Sequence, residues 1–253
     1  RLVGSEMCIR DRFKTEGITD LILDLRFNNG GSVELARYLA ASIAGTSHRS
    51  DVFMKMQRSS GADEYIRFGD GDDLNLKSVR IICSEETASA SELIISGLRG
   101  IDFPVKLFGS RTEGKNVGME VQEYKYGNKY YEFAPITFRS FNAKDWGDYA
   151  DGIDPDVMLN NQNSNYEDDI DNVFPYAFGD WDNFDFNYPL YWALCDVQGV
   201  DPMTGEPVKR SGRSGMTRSQ PDEIIRVPSV PLKRPAGTFG SLIYNKPEVE
   251  NLY

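Results

Sequence analysis

The chain has 253 residues, and its 40% hydrophobic and 12% aromatic content is enough to build a core. Its 39 acidic and 28 basic residues give a formal net charge of −11, which argues against a nucleic-acid-binding protein. No apolar run is long enough to span a membrane, and the three cysteines are too few and too scattered for a disulfide scaffold. The acidic clusters lack the full spacing of a calcium loop, so we expect neither a metal nor a cofactor.

The first twelve residues have neither an initiator methionine nor the order of charged, apolar and small residues that marks a signal peptide. They resemble translated adapter junctions at the ends of assembled environmental reading frames. We therefore interpret residues 1–12 as a junction artefact and expect the authentic upstream part to be missing.

Strands and helices alternate between residues 18 and 109. Apolar runs bounded by turn residues predict the strands, and helical spacing between a serine cap and a glycine stop predicts the helices. The predicted strands are 18–25, 51–57, 65–68, 78–84 and 104–109, and the predicted helices are 32–45 and 89–100. This order predicts an α/β fold with a mainly parallel sheet and right-handed βαβ crossovers.

Beyond Lys115 the pattern becomes that of β structure. Segments 118–124 and 130–139 flank Gly127-Asn128, which is a good hairpin signal. After Leu159 an acidic and aromatic stretch follows, and the last 53 residues hold 7 of the 12 prolines. We predict an irregular, first acidic and then proline-rich extension over 160–253.

Ser89 opens the second helix directly after a strand. The N–H groups at a helix start are unpaired and can stabilise a developing oxyanion, so Ser89 is a candidate nucleophile. Equally, Ser89-x-x-Glu92 is a capping-box pattern, which closes a helix without any chemistry. The sequence holds one histidine, His48, in a loop that we expect at the surface, so a lysine is the better candidate for a base.

Lys115 follows a glycine in the loop after the third strand of the parallel sheet. A lysine acts as a base only when its surroundings favour the neutral amine, and most loop lysines are simply solvated. The segment Gly109–Lys115 also matches most of a phosphate-binding loop, G-x-x-x-x-G-K-[ST]. Asn116 replaces the required hydroxyl, and a strand rather than a helix is predicted next, so nucleotide binding is a remote alternative.

The turn Asn28-Asn29-Gly30-Gly31 joins the first strand to the first helix. It is either an ordinary turn that uses the conformational freedom of glycine or a backbone donor that can approach a reacting carbonyl.

Four segments, taken together and in this order, resemble the C-terminal processing peptidases, also called tail-specific proteases. They are Asp24–Gly31, Thr87–Glu92, Thr112–Lys115 and Asp148–Asp156, the last similar to the family's closing G-x-x-P-D element. The resemblance covers residues 17–157 and implies a crotonase-like core, with 13–159 as the catalytic domain.

The resemblance implies a serine endopeptidase that acts through an acyl-enzyme, with Ser89 as the nucleophile and Lys115 as the general base. The N–H groups of Gly31 and Ala90 would form the oxyanion hole. Glu92 and Thr112 match supporting positions, and Thr112 would orient the lysine. The candidate site residues implied by the resemblance are Ser89, Lys115, Gly31, Ala90, Glu92 and Thr112.

The chain departs from the family pattern in three places. Asn29 stands where a third glycine is common, and the spacing from Ser89 to Lys115 is one residue longer than usual. As the third departure, we expect that the PDZ domain that the family carries upstream of the first strand is missing here. The family implies protein or peptide substrates bound through their C-terminal tails and a location in the bacterial periplasm or cell envelope. The alternative is a catalytically silent relative that only binds peptides; the oligomeric state stays open.

Overall fold

The structure, a computed structural model, describes residues 11–59, 61–159 and 184–208. The chain divides into two units, with the boundary between Leu159 and Asn160. The strands are β1 (Asp20–Asp24), β2 (Val52–Arg58), β3 (Glu64–Arg67), β4 (Ser78–Cys83), β5 (Val105–Gly109), β6 (Val117–Met119), β7 (Gln122–Tyr126), β8 (Lys129–Phe133), β9 (Ile136–Phe141) and β10 (Val157–Met158). The helices are α1 (Val33–Ala44), α2 (Ala90–Gly100) and α3 (Phe184–Gln198).

A parallel sheet forms the centre of the first unit. Its strand order is β1-β4-β5-β10, and each neighbouring pair is parallel. The predicted α/β class with crossovers between parallel strands is therefore confirmed. Because the strands run parallel, the loops that follow β1, β4 and β5 leave the sheet at the same edge.

The core lies between this sheet and helices α1 and α2, which pack against each other. Ile81, Leu107 and Leu98 are fully buried there. Phe53 of β2 meets Phe68 edge to face, with ring centroids 5.3 Å apart. A Cβ on Gly97 would lie 2.5 Å from the Phe53 ring, so this glycine allows α2 to approach β2.

A second, antiparallel sheet has the strand order β3-β2-β9-β6. The hairpin predicted around Gly127-Asn128 is present as β7 and β8. The predicted single strands 118–124 and 130–139 are each interrupted, because the pairing of β6 with β9 shifts register between Gly118 and Met119. The hairpin therefore pairs as a separate two-stranded sheet.

The second unit contains α3, a helix that the prediction of an irregular extension did not include. It holds Pro189 within its span, and Ala193 and Cys195 are buried. Residues 160–183 and 209–253, which make up most of the predicted acidic and proline-rich extension, lie outside the described residues, as do residues 1–10 of the proposed junction. In the part of the chain that the structure describes, no helix has the length and apolar character needed to cross a bilayer.

Candidate active site

The candidate site lies where the loops after β1, β4 and β5 meet. Cys83, the last residue of β4, pairs with Gly109, the last of β5. The loop after β4 leads into Ser89, and the loop after β5 leads to Lys115. Ala88 N–H donates to the carbonyl of Asn28 at 3.2 Å, which attaches the loop after β1 to the same place.

Ser89 occupies a backbone conformation that few residues other than glycine adopt. Its φ is 54° and its ψ is −115°, and the residue is half-buried. Such a conformation is costly for a residue with a Cβ atom, and it recurs at strand-to-helix turns that expose a nucleophilic serine. The capping box predicted for Ser89 and Glu92 is present. A cap does not require this backbone conformation, so the strain at Ser89 also indicates a functional turn.

Gly30 lies directly against the start of α2. A Cβ built on Gly30 would fall 2.7 Å from both Ala88 O and Ala90 N and 2.9 Å from Ser89 Cβ. Its φ of 98° also favours glycine. No larger residue fits this contact without moving backbone atoms.

Two backbone donors next to this contact have no acceptor. Among the described residues, no carbonyl or side-chain oxygen accepts a hydrogen bond from Gly31 N–H or Ala90 N–H. Ala90 is buried, and its N–H is one of the orphan donors at the start of α2. Together the two groups can offer hydrogen bonds to an anionic oxygen.

Glu92 connects the serine to the lysine loop. Its side chain is completely buried and accepts four hydrogen bonds. Oε2 accepts from Ser89 N–H at 2.8 Å and from Lys115 N–H at 2.9 Å. Oε1 accepts from the Thr112 hydroxyl at 2.6 Å and from Gly114 N–H at 2.8 Å. Because Oε2 binds both nitrogens, the backbone nitrogens of Ser89 and Lys115 are at most about 6 Å apart.

Thr112 joins the site to the closing motif of the domain. Its hydroxyl donates to Glu92 and accepts from Ile153 N–H at 2.7 Å, and Thr112 N–H donates to Ile153 O at 3.2 Å. Thr112 is buried, and its hydroxyl is bonded to Glu92 and Ile153. Thr112 is thus bonded to Glu92 and to the closing motif, and its role in orienting the lysine, which the resemblance implied, stays a prediction.

Lys115 is half-buried at the end of this loop. Within residues 11–59, 61–159 and 184–208, its Nζ has no carboxylate partner and no hydrogen-bond partner, Ser89 Oγ included. The next regular element is strand β6, as predicted, so Gly109–Lys115 does not open a helix and lacks the helix start that would bind phosphate. His48, on the short 3-10 turn after α1, is bonded to Asp51 at 2.8 Å.

Two features of the site were missed by the sequence analysis. Arg26 is buried and forms a double hydrogen bond with Asp24 just before the glycine turn, with the shortest contact at 2.6 Å. The spacing Asp-x-Arg at the end of a strand was the available signal. The contact of Gly30 with α2 joins residues about sixty positions apart, and no local pattern indicates it.

The thiol at the end of β4 is structural. Cys83 is buried, and its Sγ lies 3.3 Å from Ser110 O. Burial raises the pKa of Cys83 to about 12, and burial likewise raises the pKa of Tyr149, in the closing motif, to about 12. Neither group ionises near neutral pH.

Comparison with known proteins agrees with this assembly of motifs. The chain is 26% identical over 147 residues to a CtpA-like serine protease of Staphylococcus haemolyticus, which covers 57% of this chain and 28% of that protein. It is 27% identical over 170 residues to a CtpA-like serine protease of Staphylococcus aureus, and this match covers 66% of this chain and 32% of that protein. The chain thus spans about a third of the length of these curated relatives.

Among solved structures, an S41 protease from Bacteroides fragilis is similar with a TM-score of 0.61, at 24% identity, over 77% of this chain and 49% of that one. At this identity the similarity concerns the fold. The model of peptidase family S41 matches residues 9–159, which is more than half of the chain. The chain therefore belongs to peptidase family S41, and the family resemblance inferred from its four motifs is confirmed.

Proposed function

We propose that this chain is the catalytic part of a serine endopeptidase in which Ser89 is the nucleophile and Lys115 the general base. One observation carries the proposal. A single buried carboxylate, that of Glu92, accepts hydrogen bonds from the backbone N–H groups of both residues. The strained turn at Ser89 and the adjacent unpaired donors support the same assignment.

The proposed reaction moves one proton at a time. The neutral amine of Lys115 takes the proton of the Ser89 hydroxyl while Oγ attacks the peptide carbonyl carbon. The oxyanion that forms accepts hydrogen bonds from Gly31 N–H and Ala90 N–H. Lys115 then gives its proton to the leaving amine, and the C–N bond breaks. In the second half, water attacks the acyl carbon while Lys115 accepts its proton, and Lys115 then returns that proton to Ser89 Oγ as the bond between Oγ and the acyl carbon breaks.

The surroundings of Lys115 suit this role. An ion pair with a carboxylate would stabilise the ammonium form and oppose its action as a base. The one buried carboxylate of the site, Glu92, is occupied by three N–H groups and one hydroxyl. Its lone pairs are thus used for positioning the loop backbone, and the lysine side chain stays available.

The finer features of the activity come from family membership. We propose unfolded or extended C-terminal tails of proteins as substrates, and the periplasm or cell envelope of a bacterium as the location. Bacterial CtpA-like serine proteases among the relatives support this proposal.

The decisive experiment is labelling with a serine-directed fluorophosphonate. We expect covalent labelling of the wild type, none of Ser89→Ala, and a fall of about 100-fold or more in rate for Lys115→Ala. Ser47→Ala and Lys77→Ala are the matched controls, since both residues are exposed and lie outside the four site motifs, and both should label like the wild type.

A folded wild-type protein that binds peptides without being labelled would contradict the proposal. That result would support the catalytically silent, peptide-binding alternative. A rise in melting temperature with ATP and Mg²⁺ would instead support nucleotide binding at Gly109–Lys115.

A further inference from the structure

We propose that the open edge of β6 binds the substrate as an added antiparallel strand and delivers it to Ser89. This inference rests on the proposed function and specifies how the site holds its substrate. In the described part of the chain, β6 is the terminal strand of the sheet β3-β2-β9-β6. It begins two residues after Lys115, so any chain paired with it lies beside the candidate site.

The hydrogen-bonding pattern shows which backbone groups face the open edge. Ser140 N–H of β9 donates to Asn116 O at 2.9 Å, and Val117 pairs with Arg139. Successive residues of a strand point their N–H and C=O groups to opposite sides. Since the C=O of Asn116 points toward β9, both the N–H and the C=O of Val117 point away from β9.

The chain turns immediately before β6, because Asn116 N–H donates to Gly114 O at 3.1 Å across Lys115. This turn places the start of β6 directly after the lysine loop. Lys115 N–H is directed at Glu92, whose carboxylate also binds Ser89 N–H. The open edge of β6 therefore begins two residues beyond a backbone group that shares its acceptor with Ser89 N–H.

The edge is short and flanked by apolar side chains, which defines the occupant. The register shift after Gly118 limits regular pairing to a few residues, so one residue of the partner exchanges two hydrogen bonds with Val117. Met119 is 44% exposed and Val121 is 69% exposed, whereas the nearby Glu120 is neutralised by Arg58 at 2.8 Å. We infer an extended segment of an unfolded protein that carries apolar side chains.

The test removes the outward N–H of Val117. Proline is tolerated on an edge strand where the N–H faces away from the sheet, so Val117→Pro keeps the pairing of β6 with β9. The matched control is Tyr65→Pro at the opposite edge of the same sheet. Tyr65 pairs with Lys55, which in turn pairs with Phe141. By the same alternation, the N–H and C=O groups of Lys55 face β9. Those of Tyr65 therefore point away from β2, toward the open edge of β3.

Two rates are measured for each variant: fluorophosphonate labelling, and cleavage of reduced, carbamidomethylated ribonuclease A, an unfolded protein. We expect Val117→Pro to lower kcat/KM for cleavage at least about five-fold more than it lowers the labelling rate, because a substrate hydrogen bond is lost. Tyr65→Pro should keep both rates. If both proline variants cleave the protein at the same rate, the strand pairing is overturned. Labelling of the wild type would then still support Ser89 as the nucleophile. A wild type without labelling would overturn the proposed function and the pairing with it.

A second measurement uses the wild type and decides the matter if Val117→Pro fails to fold. A peptide spanning a cleaved site of the ribonuclease is made with one backbone N-methyl group at each position in turn. If the substrate pairs with Val117, N-methylation of one residue away from the cleaved bond should abolish cleavage. N-methylation of either residue next to it should leave cleavage intact. Cleavage at every such position would contradict the proposal.

Discussion

Helices α1 and α2 both begin after a strand of the parallel sheet, and both are preceded by a serine. Ser32 has φ −71° and ψ 123°, the usual conformation of a helix cap, and its hydroxyl accepts from Leu35 N–H at 3.3 Å. Ser89 has φ 54° and ψ −115°, and its own N–H is bound by buried Glu92. The first serine completes a helix, whereas the second is held in a costly conformation by its neighbours.

This difference teaches that a serine before a helix cannot be assigned from its own segment. The environment of Ser32 is exposed and local. That of Ser89 includes Gly30 from the loop after β1 and Lys115 from the loop after β5. Strain at one residue persists only where surrounding contacts impose it, and here two other loops supply those contacts.

The largest expected effect separates the two serines by activity. We expect Ser89→Ala to lower kcat/KM for peptide cleavage by about 1,000-fold or more, because the nucleophile is removed. Ser32→Ala should keep activity and lower the free energy of unfolding by about 1 kcal/mol through loss of the cap. Cleavage assays and urea denaturation of both variants measure this contrast. Equal activity of the two variants would show that the second helix start has no catalytic part.

The next effect compares the acidic residues in the first turns of the two helices. Glu92→Ala should lower the free energy of unfolding by about 3 kcal/mol, since it leaves buried N–H groups without an acceptor. Glu34 of α1 is exposed and paired with Arg37, so Glu34→Ala should cost less than about 0.5 kcal/mol. Denaturant titration is the measurement, and similar losses in both variants would contradict the role assigned to Glu92.

Two glycines with positive φ give a smaller contrast. In Gly30→Ala the new Cβ meets backbone atoms, and we expect a loss of about 2 kcal/mol together with reduced cleavage. In Gly45→Ala, at the end of α1, the Cβ meets only the side chain of Asp73 at 3.0 Å, so the loss should be about 1 kcal/mol with activity retained. Activity retained in Gly30→Ala would mean that this contact does not position the donors.

The smallest effect concerns the strands that lead to the two helices. β1 ends at Asp24, which is paired with Arg26, whereas β4 ends at buried Cys83. The pKa of Cys83 is about 12 in the folded protein and near its ordinary value of 9.0 when unfolded. The unfolded state therefore loses this proton first, and stability should decline as the pH rises from 9 toward 12. Thermal unfolding of Cys83→Ala at pH 8 to 10 should show a shallower decline than the wild type; an identical slope would contradict this origin.

Local signals predicted much of the fold. Helix α1 runs from the Ser32 cap to the Gly45 stop as predicted, because both ends depend on residues within one turn. The break between β6 and β7 was missed because it depends on a distant residue. A Cβ on Gly118 would lie 1.8 Å from the Phe138 ring, a contact that no short pattern reveals. Helix α3 was missed because it lies beyond Leu159, where an acidic and aromatic composition predicted an irregular extension.

The candidate site divides in the same way. Ser89, Glu92 and Lys115 were found because their motifs are continuous in sequence. The hydrogen bonds that join them, and the contact of Gly30 with α2, connect different loops. They could therefore be identified only from the three-dimensional structure. Which supporting bonds Thr112 makes also followed only from the three-dimensional arrangement.

The four hydrogen bonds of Glu92 have a consequence for how the site can open. The amide hydrogens of Ser89, Gly114 and Lys115 share one acceptor group, so a single rotation of that side chain releases all three. Hydrogen exchange at these amides is then governed by one common opening event with one rate. The turn at Ser89 and the lysine loop thus depend on the position of one carboxylate.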